Sequence, residues 1–169
     1  STTNLTVKGA SALGGADGAI HPMRRPRSFA SQRASVAATL TSVVALRVRS
    51  VFRGLAQLSE VLPKMAFVSP EGSKACIVKI LLNPTFNAAV NEPDWTYIDV
   101  DESIVEYDTT GTTFSATGRE LASFVVAGGS NQVFNFEDLA ETGVNPVHLE
   151  RGDIISIAAS ISGGAGNDV

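Results

Sequence analysis

From Ser42 onward the chain alternates apolar and polar positions with the two-residue period of β-strands, and Gly, Pro, Asn or Asp breaks the pattern roughly every 8 to 12 residues. The strongest run is Lys74 to Asn83. It puts Cys76, Val78, Ile80 and Leu82 on one face and Ile77, Lys79 and Leu81 on the other, and Pro84 ends it. A second clear run follows Leu149-Glu150-Arg151-Gly152-Asp153. Gly152 supplies a tight turn, Asp153 can bond the local backbone, and Leu149 is placed to drop into a core. Beyond it Ile155, Ile157, Ala159 and Ile161 share one face, and Ile154, Ser156, Ala158 and Ser160 share the other.

Weaker runs fill the space between. From Ser42 to Phe52, Leu46, Val48 and Phe52 face one way and Arg47, Arg49 and Val51 the other, with Gly54 as the break. Leu58 to Val68 reads as a strand in which Pro63 demands an edge or a bulge. Ser69-Pro70-Glu71-Gly72-Ser73 then predicts a hairpin back into Lys74. Trp95 to Val100, Ser103 to Tyr107, Glu120 to Val126 and Asn131 to Phe136 are further short strands, and Trp95 and Tyr97 fall on one face. Leu139 to Pro146 reads as a loop with room for one helical turn, delivering the chain to Leu149. About eight short strands and no convincing long helix predict an all-β fold, an antiparallel β-sandwich.

Residues 1–41 differ from the rest. They are rich in Gly, Ala, Ser and Thr, hold almost no large apolar residue before Phe29, and cannot build a core alone. Ser31 to Ala45 has loose helical spacing until β-branched residues thicken from Thr39, so that boundary stays open. The expected organisation is an extended basic arm over 1–41 and a sandwich domain over 42–169. The chain starts at Ser1 and not Met, as a processed chain or part of a longer product does. Residues 163–169 read as a turn and the first residue of a further strand. A jelly roll places a strand there, and an absent last strand leaves an open sheet edge for another chain.

With 169 residues, 44% of them hydrophobic and 18% charged, the chain has the composition of one globular domain. That length buries roughly 70% of the unfolded surface. No apolar run reaches the roughly 18 residues of a membrane span, and the N-terminus lacks a signal-peptide pattern. Charge is segregated. Residues 1–79 hold eleven Lys and Arg against Asp17, Glu60 and Glu71, a balance of +8, whereas residues 80–169 hold Arg119 and Arg151 against fourteen acids, a balance of −12. The basic part of one molecule is therefore attracted to the acidic part of itself or a neighbour. The densest basic cluster is His21-Pro22-Met23-Arg24-Arg25-Pro26-Arg27, kept extended by its prolines. No aromatic interleaving accompanies it and the whole chain is acidic, which disfavours nucleic acid and favours an acidic protein surface.

Candidate chemistry is sparse. Cys76 is the single cysteine, which excludes an internal disulfide, and its place in an apolar run makes it a buried thiol. His21 and His148 have no nucleophile elbow to serve. Glu92, Asp94, Asp99, Asp101, Glu102, Glu106 and Asp108 crowd seven carboxylates into seventeen residues, but strand alternation scatters them and their spacing matches no calcium loop. Arg151-Gly152-Asp153 spells an integrin tripeptide already explained by the turn. Asn4-Leu5-Thr6 is a glycosylation sequon, which matters only in a secretory pathway. No catalytic, metal-ligating or cofactor-binding set emerges.

Leu-x-x-Gly-Asp-x-Ile-x-Ile resembles a late strand of jelly-roll domains in viral, lectin-like and cytokine-like proteins. Ser50-Val51-Phe52 to Leu62-Pro63-Lys64, Gly72 to Thr85 with its Leu82-Asn83-Pro84-Thr85 end, Val105-Glu106-Tyr107-Asp108-Thr109-Thr110-Gly111, and Leu149 to Asp153 together resemble a domain of tailed-bacteriophage structural proteins, over about residues 42–169. In similar phage proteins a further strand with alternating apolar residues closes the domain, and this sequence lacks it. The resemblance implies a non-enzymatic virion component with a jelly-roll-type sandwich, located in the virion and joined to other virion proteins and to itself as a homo-oligomer. It brings no catalytic residues. The expected assembly contacts are Arg24, Arg25 and Arg27, with the acidic 92–108 region as counter-surface. The alternative is a module that binds a host glycan through Trp95 and Tyr97.

Overall fold

The computed structural model describes residues 3–14, 27–28, 32–56, 58–138 and 147–162, and side chains from residue 35 onward. The fold is all-β, and every strand pair among the described residues is antiparallel. Six strands form one sheet in the order β10 (Thr96–Tyr97), β11 (Val105–Asp108), β4 (Thr41–Val48), β15 (Ile154–Ile161), β8 (Cys76–Leu82) and β13 (Arg119–Val126). A five-stranded sheet runs β14 (Gln132–Asn135), β7 (Val61–Pro70), β1 (Thr3–Gly14) and β2 (Arg27–Ser28), with β3 (Gln32–Val36) also on β1. Among the described residues there are also two small ribbons. They are β5 (Val51–Phe52) with β6 (Leu55–Ala56), and β9 (Thr85–Phe86) with β12 (Phe114–Ala116).

The inner face of the six-stranded sheet follows the apolar alternation. Tyr107, Leu46, Ile155 and Leu82 stand opposite one another across β11, β4, β15 and β8, and the next inner rows hold Val44, Ile157, Ile80, Ala159 and Val78. Val61, Ala66 and Val68 of β7 join the same buried cluster, so the two sheets share one core, as in a sandwich. Full burial of each Val, Ile or Leu there contributes about 1.5–3 kcal/mol. Cys76 is buried as a free thiol, and burial pushes its pKa up, away from the reactive thiolate. Leu81, Ser156 and Ala158 are buried too, on the opposite face, which the alternation of β8 and β15 does not foresee.

Three details correct or sharpen the sequence pattern. Residues 31–45 are not helical in their described part, because β3 and β4 occupy it, and Val36 is a fully buried core residue. The turn after β7 closes no hairpin: β7 and β8 lie in different sheets, so residues 71–75 cross between them. The link from β13 to β14 makes the reverse crossing alongside. Gly129 N donates to Pro70 O at 3.0 Å, and a Cβ on Gly128 would sit 2.3 Å from Ser73 C, so only glycine allows that approach. Pro63 sits at a bulge, where the β1–β7 register jumps from Ala10↔Ala66 to Ala12↔Pro63, beyond the β14 ladder on Met65 to Val68.

The Gly-Asp turn ahead of β15 is held from three sides. Leu149 is buried and exchanges two 2.9 Å backbone bonds with Val61, while Gly152, at φ +87°, donates to Val48 O. Asp153 Oδ2 accepts from Glu150 N, Asn83 Nδ2 donates to Asp153 Oδ1, and Ile154 N donates to Asn83 Oδ1, each at 2.8 Å. The Leu82-Asn83-Pro84-Thr85 end and the Gly152-Asp153 turn, distant in sequence, thus fasten each other.

Candidate functional site

On the outer face of the six-stranded sheet, register alone builds a polar row. Tyr97 of β10 stands opposite Glu106 of β11, Glu106 opposite Arg47 of β4, and Arg47 opposite Ile154 of β15. Cross-strand partners sit close enough to interact directly. Arg47 donates from Nε at 3.0 Å and from Nη2 at 2.6 Å to Oε2 of Glu106, which is buried. Oε1 of the same carboxylate lies 3.9 Å from Arg49 Nε. One carboxylate therefore serves two guanidinium groups.

Aromatic rings hold those groups flat. The guanidinium carbon of Arg47 lies 4.3 Å from the centre of the Trp95 ring, and that of Arg49 lies 4.1 Å from the centre of Tyr97. Phe86 meets Trp95 edge-on at 6.5 Å and backs the stack. Such cation–π contacts contribute about 0.5–2 kcal/mol each, more where water is excluded. Arg49 Nη1 also reaches the carbonyls of Ser103 and Val100, at 3.3 and 3.4 Å. Arg53 extends the cluster from the turn between β5 and β6. There Arg53 at φ +51° and Gly54 at φ +78° make the turn that suits a two-residue hairpin. Its Nε and Nη2 donate to Asp101 O at 3.1 and 2.6 Å, and its guanidinium lies over Phe52 at 5.4 Å. An open depression of about 580 Å³ results, lined by Arg47, Arg49, Arg53, Ser50, Tyr97 and Glu106 among others.

The neighbouring acids serve the fold. Asp108 is buried, and its carboxylate accepts from Asp94 N, Thr110 N, Thr110 Oγ1 and Gly111 N at 2.6–3.1 Å. Gly111 is required beside it, since a Cβ there would come within 2.8 Å of Pro93. Asp99 caps its own loop through Asp101 N and Glu102 N, both at 2.9 Å. No group of three His, Cys, Asp or Glu among the described residues is placed to hold a metal ion. Asp153 of the integrin-like tripeptide is engaged by Asn83 and Glu150, and His148 Nδ1 pairs with Glu60 at 2.7 Å on the surface.

Of the residues singled out by sequence, Arg24 and Arg25 lie outside the described residues, in the connection between β1 and β2. Arg27 is in β2, with its backbone opposite Ala12. Trp95 and Tyr97 each set one ring face against an arginine, Arg47 and Arg49 respectively, and of the two Tyr97 lines the depression and is 46% exposed. The residues the sequence left out are Arg47, Arg49 and Arg53. Their alternation already turned Arg47 and Arg49 outward, but nothing local tells that β10 and β11 pair beside β4. No family model matches the chain, and neither does any curated protein or solved structure.

Proposed function

We propose that the chain is a non-enzymatic structural component of a bacteriophage virion, a jelly-roll-type sandwich joined to its neighbours by its N-terminal segment and sandwich surfaces. The observation that carries this reading is the pairing of β1. A segment with few large apolar residues is fixed on β7 by a backbone ladder that runs from Leu5↔Pro70 to Gly14↔Val61. Strand addition of this kind needs main-chain hydrogen bonds more than a side-chain core, and it works equally well between molecules. The basic cluster Arg24, Arg25 and Arg27 falls in and beside the connection that follows β1, and the acidic surplus of the later residues supplies its counter-charge. β13, an edge strand with Val125 63% exposed, offers a second surface for a neighbour. Replacing Arg24, Arg25 and Arg27 together by Ala is expected to abolish incorporation into particles while the far-ultraviolet β-signature stays intact. Normal incorporation of that variant contradicts the reading.

A second reading, attachment to a host glycan, is favoured by the exposed Tyr97 ring at the rim of the depression. Guanidinium groups cover one face of Trp95 and one of Tyr97, so a saccharide entering there meets arginine as well as an aromatic ring.

A further inference from the structure

We infer that the depression on the outer face of the six-stranded sheet is a site for a saccharide bearing a tetrahedral oxyanion, a sulfate ester or a phosphate monoester. This deepens the attachment reading and rests on it, while the assembly reading stands apart. Three observations carry it. First, charge does not balance: Arg47, Arg49 and Arg53 line the depression together with the single carboxylate of Glu106, which leaves two positive charges over among the lining residues. Second, the guanidinium groups are fixed before any ligand arrives. Rings flatten Arg47 and Arg49, and bonds to Glu106 and to the carbonyls of Val100, Asp101 and Ser103 set their orientation and that of Arg53. Third, donors remain. Among the described residues Arg47 Nη1, Arg49 Nη2 and Arg53 Nη1 carry no hydrogen bond, since the contacts above use the other nitrogens. Preoriented guanidinium groups suit oxyanions, which take two parallel N–H bonds from one group and lose little entropy on a fixed site.

Size separates the ion from its carrier. The depression, at about 580 Å³, is several times larger than a single tetrahedral oxyanion. The exposed Tyr97 ring and the Ser50 hydroxyl at its wall offer the apolar and polar contacts that a sugar ring uses.

Calorimetric titration of the full chain with a hexose monosulfate, the same hexose without sulfate, inorganic sulfate and inorganic phosphate tests this. Saturable binding of the hexose sulfate is expected, about tenfold tighter than inorganic sulfate and about tenfold weaker in Arg53→Gln, each about 1.4 kcal/mol. Arg53 is exposed and lies in a two-residue turn, so that variant keeps the sheet, and an unchanged thermal midpoint verifies it. Arg49→Gln is the second variant, expected to weaken binding as much. Equal affinity for inorganic sulfate and the hexose sulfate overturns the saccharide. Binding unchanged in both variants overturns the site. Binding of the neutral hexose alone, lost in Trp95→Ala, overturns the oxyanion and keeps the attachment reading. No saturable signal from any probe overturns both.

Discussion

The two sheets pair by the same antiparallel rule and share one core, yet they differ in how plainly their strands are written in the sequence. The six-stranded sheet closes on Leu46, Ile80, Ile155 and Ile157, an inner face of large apolar side chains in register. The five-stranded sheet contributes Val36 of β3 and Val61, Ala66 and Val68 of β7 to that same core, and joins β1 to β7 and β2 to β1 by backbone ladders. Both sheets bury side chains in one core, but only the strands of the six-stranded sheet carry long apolar alternations that announce it.

The comparison predicts a graded response to mutation. Ile80→Ala, at the centre of the apolar face, is expected to cost about 2–5 kcal/mol in denaturant unfolding, the range for a large-to-small change in a packed core. A loss near zero would break the claim that this face holds the sheet. At the β10–β11 edge of the same sheet, Glu106→Ala leaves Arg47 and Arg49 without their shared carboxylate. With Arg47 about one third exposed, the expected loss is about 2 kcal/mol, less than for a fully buried pair, and Glu106→Gln loses less because it keeps an acceptor. In the five-stranded sheet, Lys64 of β7 pairs with Glu137 on the surface. Lys64→Ala is expected to change stability by less than about 0.5 kcal/mol, and a larger loss would show that this surface pair carries part of the sheet's stability.

How much of this was legible follows the same division. The strands β8 and β15 could be read because Cys76, Val78 and Ile80, and Ile155, Ile157 and Ala159, repeat at a period that only a strand places on one face. Pro63 announced its bulge, and Leu149 its place in the core, because backbone chemistry and burial at those positions are local facts. The hairpin expected after Ser69 failed because turn residues fix a reversal of the chain without saying which sheet receives it. In β1, Leu5 and Val7 alternate with Asn4, Thr6 and Lys8, but the run is too short to mark a strand by itself. The arginine cluster was half visible: alternation turned Arg47 and Arg49 outward and put Trp95 and Tyr97 together. What brings them into contact is the pairing of Arg47 with Glu106 and of Glu106 with Tyr97, across separations that no local pattern reports.

Native mass spectrometry of the purified chain decides whether the N-terminal segment directs association, as proposed. A symmetric oligomer is predicted for the chain as it stands, and a monomer of the expected mass for the variant with Arg24, Arg25 and Arg27 replaced by Ala. A monomer for both at every concentration, or an unchanged oligomer in the variant, would contradict it.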